Sequence, residues 1–81
     1  MEEEIVARMI AHVEGALGRP VQGPVTAASR LVDDLGLDSM EALQLLGELE
    51  DHYNATLPVQ IFQRARTLGD VARLVAVELQ R

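Results

Sequence analysis

The sequence predicts an all-α fold, a four-helix bundle with a short third helix and a long loop between helices one and two. Three observations predict it. Apolar residues recur near the 3.6-residue helical period in three separate stretches. Asp38 with Glu41, and Thr67 with Asp70, have the three-residue spacing of helix-capping pairs. No stretch alternates apolar and polar residues in a way that demands a strand, and no internal repeat or low-complexity tract is present. The 81 residues are expected to form one domain, residues 1–81, with a modest core and a radius of gyration of roughly 12 Å.

Helix one is expected over residues 3–17, where Ile5, Val6, Met9, Ile10, Val13 and Leu17 fall on one broad face at about 100° per residue. Glu2, Glu3 and Glu4 suit the positive end of its dipole, and Gly18 followed by Pro20 supplies the stop. Residues 18–38 form a long connection rich in Gly, Pro and small polar residues, an unusual length for so small a domain. Leu31, Val32, Leu35 and Leu37 are expected to pin its second half against the helices through a short turn over residues 29–34.

Helix two, residues 39–53, places Ala42, Leu45, Leu46, Leu49 and Tyr53 in one core-facing sector. Asp38 is its N-cap and Ser39 its first residue. The Ser39 hydroxyl thus sits where free backbone N–H groups and the helix dipole favour a phosphate. Met40, Leu43 and Gly47 occupy another sector, with Gln44, Glu41, Glu48 and Asp51 further round. An apolar patch rimmed by acids beside Ser39 has the composition of a docking surface, although scattered exposed apolar residues are also ordinary. A short third helix follows around Val59, Ile61, Phe62 and Ala65. Thr67 then caps a last helix whose buried stripe is Leu68, Val71, Ala72, Val75 and Leu79.

Charge and composition exclude several function classes. The net charge is −6, which argues against nucleic acid as a partner. Residues 31–63 hold seven acids and no lysine or arginine, whereas the rest of the chain has six acids against seven arginines. The negative field is therefore confined to the serine loop and its helix, where it would steer basic partners. Cysteine is absent, which excludes disulfides, thiolate metal sites and a cysteine nucleophile. The acidic N-terminus lacks the basic start of a secretory signal, and no apolar run approaches the ~20 residues that cross a bilayer. No membrane association and a cytoplasmic location are the expectation.

Intrinsic catalysis by Ser39 would require a base and an oxyanion site. His52 lies thirteen positions along helix two, about 20 Å away at 1.5 Å per residue. His12, on helix one, has no orienting partner in the pattern and reads as a partly buried or surface histidine. With no metal-ligand cluster, glycine-rich phosphate cradle or paired carboxylates, the residues describe neither an enzyme nor a metal site.

The stretch Asp33-Asp34-Leu35-Gly36-Leu37-Asp38-Ser39-Met40 resembles the phosphopantetheine attachment motif of acyl carrier and peptidyl carrier proteins. The order of the helices and the long first loop extend the resemblance over nearly the whole chain. It implies that a separate phosphopantetheinyl transferase attaches 4′-phosphopantetheine from coenzyme A to Ser39 as a phosphodiester. The thiol of that arm would carry an acyl or aminoacyl group as a thioester between partner enzymes, at high effective concentration on docking. Asp38 matches the family aspartate whose implied role is magnesium binding in the transferase complex. Partner contacts are expected from Met40, Glu41, Leu43, Gln44, Gly47 and Glu48, and the partners implied are a loading enzyme and ketosynthase, condensation or other tailoring enzymes acting on a monomeric carrier. Fatty-acid carriers usually have further acids where this chain has Gln44 and Gly47, and are acidic where it has Arg64 and Arg66. These departures favour polyketide biosynthesis, with nonribosomal peptide or fatty acid biosynthesis as alternatives. Gly47 costs about 1 kcal/mol relative to alanine in a helix interior, a cost accepted for close approach by a partner or merely tolerated. A non-covalent helical adaptor using the Met40, Leu43 and Gly47 patch is the reading from a different class.

Overall fold

A computed structural model describes residues 1–16 and 23–81. Four helices follow in the order α1 (Glu2–Ala16), α2 (Ser39–Tyr53), α3 (Gln60–Arg64) and α4 (Leu68–Leu79). The radius of gyration is 11.4 Å, close to the expected value. The expected end of helix one at Leu17, with its Gly18 and Pro20 stop, lies outside the described residues.

Ile5, Met9 and Val13, spaced by four, form the buried stripe of α1, with Val6 and Ile10 at its margin. That stripe packs on both α2 and α4, while α3 packs on α4. Leu45, Leu46 and Leu49 are the buried face of α2, and Leu68, Val71, Ala72, Val75 and Ala76 that of α4. Ala42, Tyr53 and Leu79, expected in the core, are half-buried instead. Met9 and Leu49 are fully enclosed, so truncating either to alanine costs about 2–5 kcal/mol through lost transfer energy and the cavity left behind.

Capping fixes where the helices begin and end. The Asp38 carboxylate accepts from the Glu41 amide at 2.8 Å, and the Glu41 carboxylate accepts from the Asp38 amide at 3.2 Å. The Thr67 hydroxyl and Asp70 carboxylate repeat this reciprocal pair on α4. At the other end of α2, Asn54 adopts the left-handed conformation (φ 52°), which its short polar side chain tolerates. The Glu50 carboxylate accepts from the Leu57 amide at 2.8 Å. This bond clamps the α2–α3 connection while Leu57 is buried.

The second half of the long loop is held partly as expected. Leu31, Leu35 and Leu37 are buried, but Val32 is 69% exposed and does not pin it. In a turn, successive side chains diverge, and Val32 falls on the outer side. Backbone bonds supply the remaining anchorage: the Leu31 amide donates to the Arg66 carbonyl (2.8 Å), Leu68 to Ser29 (3.1 Å) and Gly69 to Ala27 (2.8 Å). The start of α4 is thereby stitched to residues 27–31.

Candidate functional site

Residues 30–37 make a tight turn that aims the start of α2. The Gly36 amide donates to the Val32 carbonyl at 2.8 Å and the Leu37 amide to Leu31 at 2.9 Å. Gly36 sits at φ 64°, a conformation that a Cβ would strain. This reversal buries Leu37 and delivers Asp38, extended at φ −92° and ψ 179°, to the N-cap position. Arg30 closes the outside of the turn, its guanidinium 3.4 Å from Asp33 and 3.2 Å from Asp34. Hydrogen bonds from the Arg30 side chain and then its backbone amide hold the Asp34 carboxyl below the usual carboxylate range. Part of the negative charge near the serine is therefore compensated locally.

Ser39 is exposed in the first turn of α2. The Glu41 amide is committed to the Asp38 carboxylate and the Ala42 amide to the Asp38 carbonyl. The amides of Ser39 and Met40 remain as the donors that the helix start presents to an anion. Beside the hydroxyl runs an apolar groove of about 320 Å³, walled by Val32, Leu37, Leu43, Val59 and Phe62.

Among the expected site residues, Asp38, Ser39 and Leu43 share this groove. Met40 (68% exposed) and Leu43 (52%) form an outward apolar pair, and Gln44 is exposed. Glu41 and Glu48 have internal duties: Glu41 belongs to the capping box, and Glu48 lies 4.0 Å from Arg8 of α1. A Cβ on Gly47 would meet nothing within 4 Å. The pattern of the chain does not mark the groove walls Val32, Val59 and Phe62 as site residues. Their only signal is apolar character in short or irregular segments, which no periodicity assigns to core or surface.

His52 is exposed near the far end of α2, its ring edge-on to Tyr53 at a centroid distance of 4.7 Å. His12 is half-buried on α1. Among the described residues, no group of three or more His, Cys, Asp or Glu could hold a metal ion, and no helix is long and apolar enough to cross a membrane.

An exposed serine at a capped helix start, preceded by a Leu-Gly-Leu turn, lies inside the region matched by a known family: residues 7–75 match the phosphopantetheine attachment site family. The chain belongs to this family of carrier proteins. Over 78 residues it is 31% identical to an acyl carrier protein of an Exiguobacterium species, covering 96% of this chain and 98% of that one. It is 32% identical over 75 residues to the meromycolate extension acyl carrier protein of Mycolicibacterium smegmatis, covering 91% of this chain and 74% of that protein. The solved structure of a Mycobacterium tuberculosis chain assigned as an acyl carrier protein is similar at a TM-score of 0.67 and 37% identity, covering 94% and 95% of the two chains. Members carry 4′-phosphopantetheine covalently and serve enzymes as a substrate-bearing protein; they are not themselves enzymes. This carrier therefore interacts with a phosphopantetheinyl transferase and with acyl-handling enzymes.

Proposed function

We propose that Ser39 is the residue that bears the 4′-phosphopantetheine arm, and that the chain hands acyl thioesters between the enzymes of a polyketide or related pathway. The observation that carries the first part is the position of the Ser39 hydroxyl. It is exposed, at the start of a 15-residue helix, and open to a groove that accommodates an arm along the protein surface. The arm supplies a thiol on which the acyl group rides as a thioester.

In the attachment step the Ser39 oxygen bonds to the phosphorus of coenzyme A that bears the pantetheine. The pyrophosphate P–O bond breaks, adenosine bisphosphate leaves, and the hydroxyl proton passes to a base of the transferase. The helix start favours the resulting phosphodiester anion through its dipole and the Ser39 and Met40 amides. Asp38 holds the helix end in place and offers a carboxylate beside the reacting oxygen, the location needed to help a transferase bind magnesium. Met40 and Leu43, with Gln44 and Gly47 alongside, supply the face that partners meet.

Gln44, Gly47, Arg64 and Arg66 support the pathway reading, because they replace acidic character on α2 and around α3. A fatty-acyl pathway is favoured instead by the meromycolate extension relative. Incubation with coenzyme A and a broad-specificity transferase, followed by intact-mass measurement, tests the assignment of Ser39. A gain of one phosphopantetheine that is lost in Ser39→Ala supports it. An unchanged mass in the natural sequence, or retention of the gain in Ser39→Ala, overturns it.

A further inference from the structure

The groove at Ser39 does not end at α3. A second hollow of about 300 Å³ continues from it, sharing the walls Leu31, Val32 and Phe62 and ending at Ala65, Arg30 and Arg66. Leu31, Val32 and Phe62 thus form the apolar border between a groove lined by Ser39 and a hollow lined by Arg30 and Arg66.

These two cations are not equivalent. Arg30 is neutralised by Asp33 and Asp34, and Asp33, which also lines the second hollow, is occupied by the same arginine. Arg8, Arg73 and Arg81 likewise pair with Glu48, Asp70 and Glu78. Among the described arginines, only Arg64 and Arg66 have no acid within ion-pair distance. Arg64 stands in the last turn of α3, where a cation complements the helix dipole. Arg66 lies beyond the helix and has no such role. Its amide is fixed by the Asp70 carboxylate and its carbonyl by the Leu31 amide, so its backbone is anchored while its exposed side chain lines the second hollow.

We propose that Arg66 receives the distal carboxylate of a cargo tethered at Ser39, so that this carrier favours acyl groups ending in a carboxylate, that is, dicarboxylic acids held as monothioesters. The inference rests on Ser39 bearing the arm. The apolar walls cover the methylene chain, and the unpaired guanidinium meets the one anionic group at its end. An exposed ion pair alone is weak, but the tether keeps the carboxylate at high local concentration. A planar guanidinium also suits a carboxylate better than an ammonium does.

The test loads the isotopically labelled full chain from succinyl-, glutaryl-, butyryl- and pentanoyl-coenzyme A with a broad-specificity transferase. Intact mass is measured first, and failure to load the natural sequence condemns the Ser39 reading rather than this one. In the loaded proteins, succinyl or glutaryl cargo is expected to shift the Arg66 Nε–H and Phe62 amide resonances, with butyryl and pentanoyl leaving Arg66 unmoved. Cleavage by hydroxylamine, normalised to the same acyl group on coenzyme A, is expected to slow about two- to fivefold for the dicarboxylic cargo. Arg66→Gln should abolish both effects, Arg66→Lys retain part, and Arg64→Gln leave them intact. Identical Arg66 shifts and normalised rates for charged and uncharged cargo overturn the proposal. So does an effect that survives in Arg66→Gln, or one confined to reaction with a partner enzyme, which would make Arg66 a protein-docking residue.

Discussion

The Gly69 amide donates to the Ala27 carbonyl at 2.8 Å, and a Cβ on Gly69 would stand 3.2 Å from that same oxygen. Hydrogen bond and steric limit act on one atom, so the oxygen cannot retreat from a side chain without stretching the bond that holds it. Gly69→Ala gains up to about 1 kcal/mol of helix propensity, which the crowding offsets. Gly69→Val is expected to destabilise by about 1–3 kcal/mol, seen as a lower melting temperature and faster amide exchange at Leu68 and Gly69.

Gly47 gives the opposite expectation. With nothing within 4 Å of an added methyl group, Gly47→Ala should stabilise the free protein by up to about 1 kcal/mol, a rise of roughly 4–8 °C in a domain this small. If partners approach α2 closely at this position, the same variant slows transfer to an acyl-handling enzyme. Unchanged transfer at the higher melting temperature shows the glycine to be merely tolerated. Met40→Ala, at an exposed position, is the companion variant, with modification slowed and stability changed by less than about 0.5 kcal/mol.

Asp38 caps α2, and two substitutions separate that structural role from the chemical one proposed for its carboxylate. Asparagine caps as well as aspartate, whereas alanine loses about 1 kcal/mol. Asp38→Asn is therefore expected to keep the melting temperature and slow phosphopantetheine transfer, while Asp38→Ala lowers both. Equal transfer rates for Asp38→Asn and the natural sequence would remove the carboxylate from the chemistry.

Acid should loosen the fold through Asp34 and Asp70. Backbone amides of Arg66 and then Thr67 hold the Asp70 carboxyl below its ordinary range, and Arg30 does so for Asp34. A carboxylate with a depressed folded pKa stabilises the native state above its unfolded pKa of about 4. That contribution is lost as the pH falls through the lower folded value. Melting curves from pH 7 to pH 2 should show the decline beginning near pH 4, with a shallower acid limb in Asp70→Asn.

The sequence was most informative where side chains bond to nearby backbone. The Asp38–Glu41 and Thr67–Asp70 pairs located the starts of α2 and α4, and α2 occupies the expected residues. It was least informative in the turn over residues 30–37. Three of four apolar residues there are buried and Val32 is not, because an irregular backbone has no period from which to read a face. The stitch between residues 27–31 and the start of α4 runs through amides and carbonyls that every sequence possesses. Its one side-chain trace is the missing side chain of Gly69. The groove beside Ser39 was hidden for the same reason, since its walls come from the turn, α2 and α3 together.

The bond from the Leu31 amide to the Arg66 carbonyl brings the two ends of residues 31–66 together. Between those ends lie Ser39, both helices that wall the groove, and the seven acids of the chain's negative stretch. The proposed attachment residue and the partner face proposed on α2 thus lie in one contiguous piece whose ends return to the same place, on a base made by α1 and α4. Such a piece can be exchanged as a unit if a replacement restores the Leu31–Arg66 bond, the bonds of Asp34 and Leu35 with Arg30, the bond of the Arg66 amide with Asp70, and the apolar underside. New cargo preferences then become accessible by grafting a single segment, with the supporting helices left unchanged.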